Sequence, residues 1–547
     1  MATTATQPAT PPASEEKLSN EFREYSVAEF FKKNRQMLGY SGKTRSLTTI
    51  VHEYVTNSLD ACEDAGILPN ITVEISNAEN EHLIVITEDN GTGIPKQNIG
   101  QALGMLLAGT KFHQRKQKRG QQGIGASYAT LFAQITTGKP TKVRSGLGNG
   151  KVFECDLTID VKNNAPAVKN DREYSGKFKG LRVEAEFAEV EYKRGEYGVY
   201  EYLRRTAIAN PHAQITLVEP NKEITVFPRA TGKIPPKPKA TLPHPLGITT
   251  SDLVDLSQSS GARKISSMLE TEFTRISGDK VKELQAVCPQ IDFNKAPKSL
   301  QWPEAEAIVK AFQNVKWIAP DLDTMSPIGE EQIEKSLKNI LQPEQMKVVE
   351  RKPRVFRGGI PFMVEAAIAY GGKSGATGSE GGKGEILRFA NRTPLLFDAG
   401  TCAITEAIKT IDWARYDLKG WEDMPVSIFV NFTSVYVPYT GAGKLSISAE
   451  DELVAEIRFA LMDSARNVSM YLHSLKRAED QEQRRTLFFR YIDEVAQAIH
   501  DVTGKEKAVL AEKLRKIAVE RTKIMEAQDD EEALEEVGGV EEDEAKD

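Results

Sequence analysis

The sequence predicts a multidomain α+β protein in which two mixed α/β units flank a short helical domain and continue into long helices. Three observations predict it. Strand patterns such as ITVEI (71–75), HLIVITE (82–88), VFECDLTID (152–160) and RVEAEFAEV (182–190) alternate with helical patterns between residues 46 and 230. The stretch KIPPKPKATLPHPLG (233–247) holds five prolines and no periodicity, which marks a domain boundary. No proline follows Pro438, and residues 449–526 are dense in Ala, Glu, Leu, Arg and Lys, the composition of long helices.

At roughly 100–200 residues per domain, a chain of 547 residues holds several domains, and a peptide or disulfide mini-protein is excluded. The four cysteines, Cys62, Cys155, Cys288 and Cys402, form no C-x-x-C pair, so neither a zinc ribbon nor a disulfide framework is expected. The N-terminus has neither a basic nor an apolar leader region, and no apolar run is long enough to span a membrane, so a soluble, non-exported protein is expected. The net charge of −7 is unevenly placed. Residues 526–547 carry twelve acids and one base, which leaves the remainder weakly basic and the tail solvated.

Taken in order, residues 1–21 form a disordered Thr/Ala/Pro-rich tail, and Phe22 to Tyr40 read as a short helix. The first α/β unit occupies 22–230. Residues 231–310 form a helical domain whose helices open at the candidate caps Thr250, Ser260 and Asp279. Strands return in PFMVEAAIAY (361–370), EILRFAN (385–391) and VSIFVNFTSV (426–435), giving a second α/β unit at 311–475. A helical stalk at 476–525 and the acidic tail at 526–547 complete the chain.

Three motifs carry chemistry. On a helix over 48–66, ended by Gly66, the residues Glu53, Asn57, Asp60 and Asp64 share one narrow stripe, and Val51, Tyr54, Val55, Leu59 and Cys62 face the core. No base stands at i+4 to relieve the acids, so the stripe reads either as a solvated helix face or as the seat of a divalent cation, with the Asn57 amide suited to Mg²⁺ and Glu53 placed to polarise water. The strand 82–88 runs into Asp89, Asn90, Gly91, Thr92 and Gly93, where glycines admit a ligand to the backbone and Asp89 can accept from a purine amine. Gly120, Gly123 and Gly125 open a helix over 126–135, and their freed N–H groups, with Lys111, Lys118 and Arg119 nearby, make an anion seat. The pattern does not follow a strand, so dinucleotide binding is disfavoured. The loop GGKSGATGSEGGKG (371–384) misses the P-loop pattern because position 367 is Ala, and it reads as a disordered insertion.

E-x-x-x-N-x-x-D on a helix, D-x-G-x-G after a strand and a later glycine-rich lid, in that order, resemble the GHKL ATPases, the family of gyrase, MutL and histidine kinases. The resemblance implies a Bergerat α/β sandwich that binds ATP and Mg²⁺. It makes Glu53 the general base, Asn57 the Mg²⁺ ligand, and Asp89, with Gly91 and Gly93, the adenine reader. Residues Thr110, Lys111, Gly120, Gln121, Gln122, Gly123, Ile124, Gly125, Ala126 and Ser127 become the lid over the phosphates. The threonine that many members place on a later strand is replaced by Arg182 in KGLRVEAEF (179–187).

The stretches EFFKKNRQMLGYSGKTRSL (29–47), LLAGTKFHQRKQKRGQQGIGAS (106–127), GGIPFMVEAAIAYGG (358–372) and RFANRTPLLFDAG (388–400) are similar to the B subunits of type IIB DNA topoisomerases, over about residues 22–525. That resemblance implies a helix-two-turns-helix domain at 231–310 and a transducer domain after it, whose Lys444 reaches the γ-phosphate. It implies an ATP-driven gate that dimerises through a strap at 22–40, captures a DNA duplex and passes force to a DNA-cleaving A subunit in an A₂B₂ heterotetramer. The stalk would dock that partner. Arg263, Lys264, Arg275, Lys280 and Lys282 are candidates for DNA contact or a solvated basic face. A cytoplasmic, nucleoid-associated protein of archaeal type is expected.

The alternative is an ATP-dependent clamp of the mismatch-repair or chaperone type, which the helical insert disfavours. A signalling kinase needs a phosphoacceptor histidine in a fitting context, which His473 and His500 lack. A scaffold with a vestigial site is disfavoured because Glu53, Asn57, Asp89, the lid and Lys444 are all retained.

Overall fold

The computed structural model describes residues 26–107, 116–117, 119, 124–375, 383–441 and 446–519. The expected tails at 1–21 and 526–547, and part of the 371–384 loop, lie outside these residues.

The chain divides into two compact units, the first of residues 1–412 and 420–465 and the second of 413–419 and 466–547. In the first unit, helix α1 (Val27–Lys33) is fixed by a capping box, Ser26 accepting from the Glu29 N–H while Glu29 reaches back to the Ser26 N–H. Helix α2 (Lys43–Ala65) comes next, and Gly66 ends it at a φ of 68°, where its N–H returns to the carbonyls of Cys62 and Glu63. The expected helix thus begins five residues earlier than the pattern from Thr48 suggested.

Eight strands form the first sheet: β1 (Asn70–Asn77), β2 (Leu83–Glu88), β3 (Thr141–Leu147), β4 (Lys151–Asp160), β5 (Ala165–Ser175), β6 (Lys179–Phe187), β7 (Gln214–Val218) and β8 (Ile224–Phe227). Their order is β5-β4-β3-β6-β2-β1-β7-β8, parallel only between β1 and β7. One face is covered by α2 and by α4 (Gly125–Thr137), with α3 (Lys96–Gly104) between them in the chain. Ile50, Val51, Tyr54 and Leu59 of α2 and Tyr128 and Phe132 of α4 share a core with Val73, Ile75 and Val85 of the strands. The alternation of buried and half-buried residues along β2 matches a sheet with one helix-covered face.

Helix α5 (Val199–Ala209) precedes β7 and packs toward the second sheet. The helical stretch contains α6 (Thr250–Ser259), α7 (Ile265–Glu272), α8 (Gly278–Val287) and α9 (Trp302–Asn314), packed around Leu253, Met268, Leu269, Leu284, Ile308 and Phe312. Their N-caps are displaced from the expected residues: Thr249, not Thr250, accepts from the Asp252 N–H, and Lys264 and Ser277 precede α7 and α8 in place of Ser260 and Asp279. The helices begin where extended backbone ends, one to four residues away from the polar residue that the pattern suggested.

The second sheet comes after α10 (Glu330–Ile340). It holds β9 (Gln345–Glu350), β10 (Arg354–Phe356), β11 (Ile360–Tyr370), β12 (Glu385–Ala390), β13 (Thr393–Pro394) and β14 (Val426–Ser434), in the order β10-β11-β14-β12-β13 with β9 pairing β11. Helix α11 (Ala403–Lys409) lies between β13 and β14 in the chain. β11 and β14 are buried along almost their whole length, which explains their unbroken apolar runs. Ile208 and Ala209 of α5 enter the core of this sheet beside Leu337, Leu387 and Phe429. Arg204 of α5 is also buried between Glu201 and Glu385 of β12, so α5 is anchored there by charge as well as by packing.

The last long helix, α12 (Asp451–Thr503), begins in the first unit and continues into the second. Gly504, at a φ of 68°, comes directly after its end, and residues 507–519 are helical again. No helix among the described residues is long and apolar enough to cross a membrane.

Candidate active site

The sequence of α2 places its polar stripe as expected. Val51, Tyr54, Val55, Leu59 and Cys62 are buried, Glu53 and Asp60 are partly exposed, and Asn57 and Asp64 are open to solvent. The Glu53 side chain lies against the first residue of α4, because a Cβ added to Gly125 would collide with its carboxylate. Only glycine fits there, and the carboxylate sits beside the positive end of α4. Ile124 and Ala126 are nearly buried, and the Ser127 hydroxyl donates to the Ile124 carbonyl at 2.9 Å. What this part of the motif offers a ligand is therefore backbone N–H groups, since among the described residues no side chain caps α4. Thr110, Lys111, Gly120, Gln121, Gln122, Gly123 and Lys444 lie outside the described residues.

The second motif forms around Asp89, which is 5% exposed. Its Oδ2 accepts from Ser58 Oγ at 2.8 Å, and its Oδ1 accepts from the Gly91 N–H at 2.9 Å and the Leu181 N–H at 3.2 Å. Burial pushes its carboxyl above the usual range, and these neutral donors only partly offset that. A Cβ added to Gly91 would meet Asp89 Oδ1, Cys62 and Ala61, and Gly93, at a φ of 68°, leaves no room for a Cβ beside the Gly146 carbonyl. Asn90 holds the turn, its Oδ1 accepting from the Asn70 N–H at 2.8 Å. Arg182 lies on β6 opposite Glu88 and pairs with it at 3.2 Å.

No base stands at i+4 on the α2 stripe, but one reaches it from elsewhere in the chain: Asp60 Oδ1 pairs with Arg119 at 2.8 Å. Arg119 is separated from it by 59 residues, so helix spacing could not reveal it. Arg119 also pairs with Glu63, which in turn holds Arg392 at 3.0 Å and His212 at 2.8 Å. Burial alone would raise the Glu63 carboxyl, yet Arg119, Arg392 and His212 outweigh it and hold it well below the usual range. Burial lowers His212, whose Glu63 bond opposes the shift. Ser58, Glu63 and the Leu181 N–H escaped the sequence motifs. Ser58 adjoins Asn57, but nothing local points it at Asp89, and a backbone donor has no residue signature.

In the helical domain, four of the basic candidates have internal partners. Lys280 pairs with Glu283 at 2.6 Å, Lys282 with Asp279 at 2.9 Å, Lys264 with Asn294 at 3.1 Å, and Arg275 Nε donates to the Ala319 carbonyl at 3.0 Å. In the second unit His473 pairs with Asp417 at 2.7 Å. The four cysteines are free and buried, and no group of three or more His, Cys, Asp or Glu among the described residues could hold a metal.

The fold that carries α2, β2 and α4 is that of a GHKL-type ATPase domain. The family described as histidine kinase-, DNA gyrase B- and HSP90-like ATPase matches residues 42–162, and that described as topoisomerase VI B subunit, transducer, matches residues 320–484. The chain is 46% identical to the type 2 DNA topoisomerase 6 B subunit of Methanothermobacter thermautotrophicus, covering 90% of this chain and 93% of that one. It is 44% identical to those of Pyrococcus horikoshii (93% and 97%) and Thermococcus kodakarensis (95% and 98%). The chain belongs to the family of topoisomerase 6 B subunits, the ATP-dependent subunits of type IIB DNA topoisomerases. Its ATPase domain is of a class that binds ATP.

Proposed function

We propose that this chain is an ATP-operated clamp that dimerises on nucleotide, captures a DNA duplex and couples hydrolysis to its passage through a break made by a separate A subunit. The observation that carries the reading is the Glu53 carboxylate set against the start of α4, with Asn57 exposed one turn along the same helix. Glu53 takes the proton of the attacking water as its oxygen bonds to the γ-phosphorus. The bond to the β-phosphate oxygen breaks, releasing ADP and phosphate. Asp89 accepts from the adenine amine, and the α4 N–H groups face the phosphates. Lys444 adds charge at the γ-phosphate.

Asn57 suits Mg²⁺. Its amide oxygen is a hard donor open to solvent, and Mg²⁺ at phosphates keeps waters and takes few protein ligands. When bound, the ion neutralises phosphate charge. The relatives' designation as B subunits of a DNA topoisomerase supports an A-subunit partner and DNA as substrate; an A₂B₂ assembly is the arrangement we propose for it. Leu487, Tyr491, Val495 and Val502 of α12, with Val509 and Ile517 beyond it, are exposed, which supports docking by this stalk.

The test is ATP turnover and light-scattering mass on this chain and on Glu53→Ala, with duplex DNA and a non-hydrolysable ATP analogue. The expected result is a nucleotide-dependent dimer in both and a turnover loss of about 10²–10⁴-fold in the variant. Equal turnover removes Glu53 from the base role, and a mass indifferent to nucleotide sinks the clamp.

A further inference from the structure

Two residues just ahead of α4, Gln117 and Arg119, are almost fully buried although they precede the glycines of the phosphate motif. Gln117 grips the backbone of Ser326 with both ends of its amide, Nε2 donating to the carbonyl at 2.9 Å and Oε1 accepting from the N–H at 2.6 Å. Three residues later the Gly329 N–H donates to Glu365 Oε1 at 2.6 Å. Glu365 stands on β11 directly opposite Asn431 of β14. Asn431 Nδ2 donates to Glu365 Oε2 at 2.6 Å, and Asn431 Oδ1 accepts from the Arg392 N–H at 3.1 Å. The Arg392 guanidinium then reaches Glu63, and Glu63 holds Arg119. The path nearly closes on itself: it leaves Gln117, crosses the core of the second sheet and returns to Arg119, two residues along the chain.

Two features set Arg392 apart from an ordinary structural arginine. It and Asn391 occupy the left-handed region in succession, with φ of 65° and 48°, a conformation that non-glycine residues hold only when their surroundings impose it. Its Nε and Nη1 are also buried with no hydrogen-bond partner among the described residues. A guanidinium so incompletely satisfied is costly in a site serving stability alone. Glu63 moreover serves two guanidiniums, so a change at Arg119 alters the balance that holds Arg392.

We propose that Arg392, fixed by Asn431 and sharing Glu63 with Arg119, is a positioning residue through which the phosphate-binding stretch and the second sheet sense each other. The proposal rests on the ATP reading above and names the route by which occupancy of that site reaches the transducer. Arg392 touches no substrate. Its action runs through Glu63 to Arg119 on one side and through Asn431 to β11 and β14 on the other.

The test is hydrogen–deuterium exchange on the full chain with and without a non-hydrolysable ATP analogue, paired with analogue affinity. In the wild type, the analogue is expected to slow exchange in β14 and the β12–β13 turn by about fivefold or more. Arg392→Met is expected to bind the analogue yet lose the response in the second sheet, and Arg392→Lys, which keeps the charge, to recover at least part of it. Should Arg392→Met fail to fold, Asn431→Ser interrupts the same path and is expected to lose the same response. A variant that binds the analogue and responds like the wild type overturns the proposal, as does a wild type that binds it without any response in the sheet. Failure of the wild type to bind the analogue overturns the ATP reading itself, and the affinity measurement tells the two apart.

Discussion

Asp89 and Glu63 both place carboxylates beside α2, Asp89 next to Ser58 and Glu63 further along the same helix, and the protein treats them in opposite ways. Among the described residues Asp89 is held by a hydroxyl and two backbone N–H groups and by no base, and its carboxyl is raised by burial. Glu63 meets two guanidiniums and an imidazole, and its carboxyl is strongly lowered. A carboxylate held only by neutral donors keeps attraction in reserve for a ligand, whereas one surrounded by cations is committed to the protein. On the reading proposed above, the difference separates the end of the site that recognises from the end that transmits.

The strongest way to break this comparison is to remove the Glu63 charge. Glu63→Gln leaves Arg119 and Arg392 nearly buried with Asp60 as the acid nearest Arg119, and loss of one partner from such a group costs about 3–5 kcal/mol. Denaturant unfolding should show a loss of that size. A loss no larger than that of an average surface substitution, about 0.5 kcal/mol, would mean that Glu63 is not the centre of the cluster.

A third buried carboxylate sharpens the contrast through its pH dependence. Burial raises Glu365 from 4.5 to about 7, and the donors that face it, the N–H groups of Ile328 and Gly329 and the Asn431 amide, do not cancel that, while Glu350 opposite adds to it. Between those values the folded chain holds a proton that the unfolded chain has released, so stability falls as pH rises through the window, by about 3 kcal/mol. Glu63 has the opposite sign: its contribution is present above the ordinary carboxylate pKa and is lost as pH falls below it. Glu365→Gln should therefore flatten the fall in unfolding free energy between about pH 4.5 and pH 7. An unchanged slope in the variant would assign the fall to other groups.

At the recognition end, Asp89→Asn exchanges a charged acceptor for an amide and should weaken ATP binding by about 10- to 100-fold. Discrimination between ATP and GTP should decline with it, because Asp89 is the group proposed to read the adenine amine. Equilibrium binding of both nucleotides checks this, and an affinity that falls equally for the two would make Asp89 a support for the pocket and not its reader.

The two ends were not equally legible in the sequence. The α2 stripe and the Asp89 turn are local, carried by helical spacing and by a strand running into glycines, and both lie where that pattern placed them. The Glu63 cluster draws its partners from 56, 149 and 329 residues away, so no window of sequence contains it. Arg392 was visible only as part of a family-like stretch, and its strained turn depends on Asn431 in a neighbouring strand. The helix caps were misplaced by local competition among Ser, Thr and Asp, since several neighbours can cap and packing decides which one does. The sheet order was illegible for a related reason: β1 pairs in parallel with β7, whose partner residues lie more than a hundred positions away.

The finest test of the comparison removes one neutral donor and leaves the charge. Ser58 is 5% exposed and gives its hydroxyl hydrogen to Asp89 Oδ2 at 2.8 Å, so Ser58→Ala takes away a single oxygen without opening the core. A hydrogen bond of this kind contributes about 1 kcal/mol net, which corresponds to about fivefold in ATP affinity. The direction comes from what the bond does. With one donor gone, Asp89 is less well oriented and its carboxyl rises further, so the fraction able to accept from adenine as a carboxylate falls. Turnover at saturating ATP should be unchanged, because Ser58 faces Asp89 and not Glu53. A loss in kcat with affinity intact would show that the two ends of α2 are coupled through the helix itself, and the division between recognising and transmitting carboxylates would have to be redrawn.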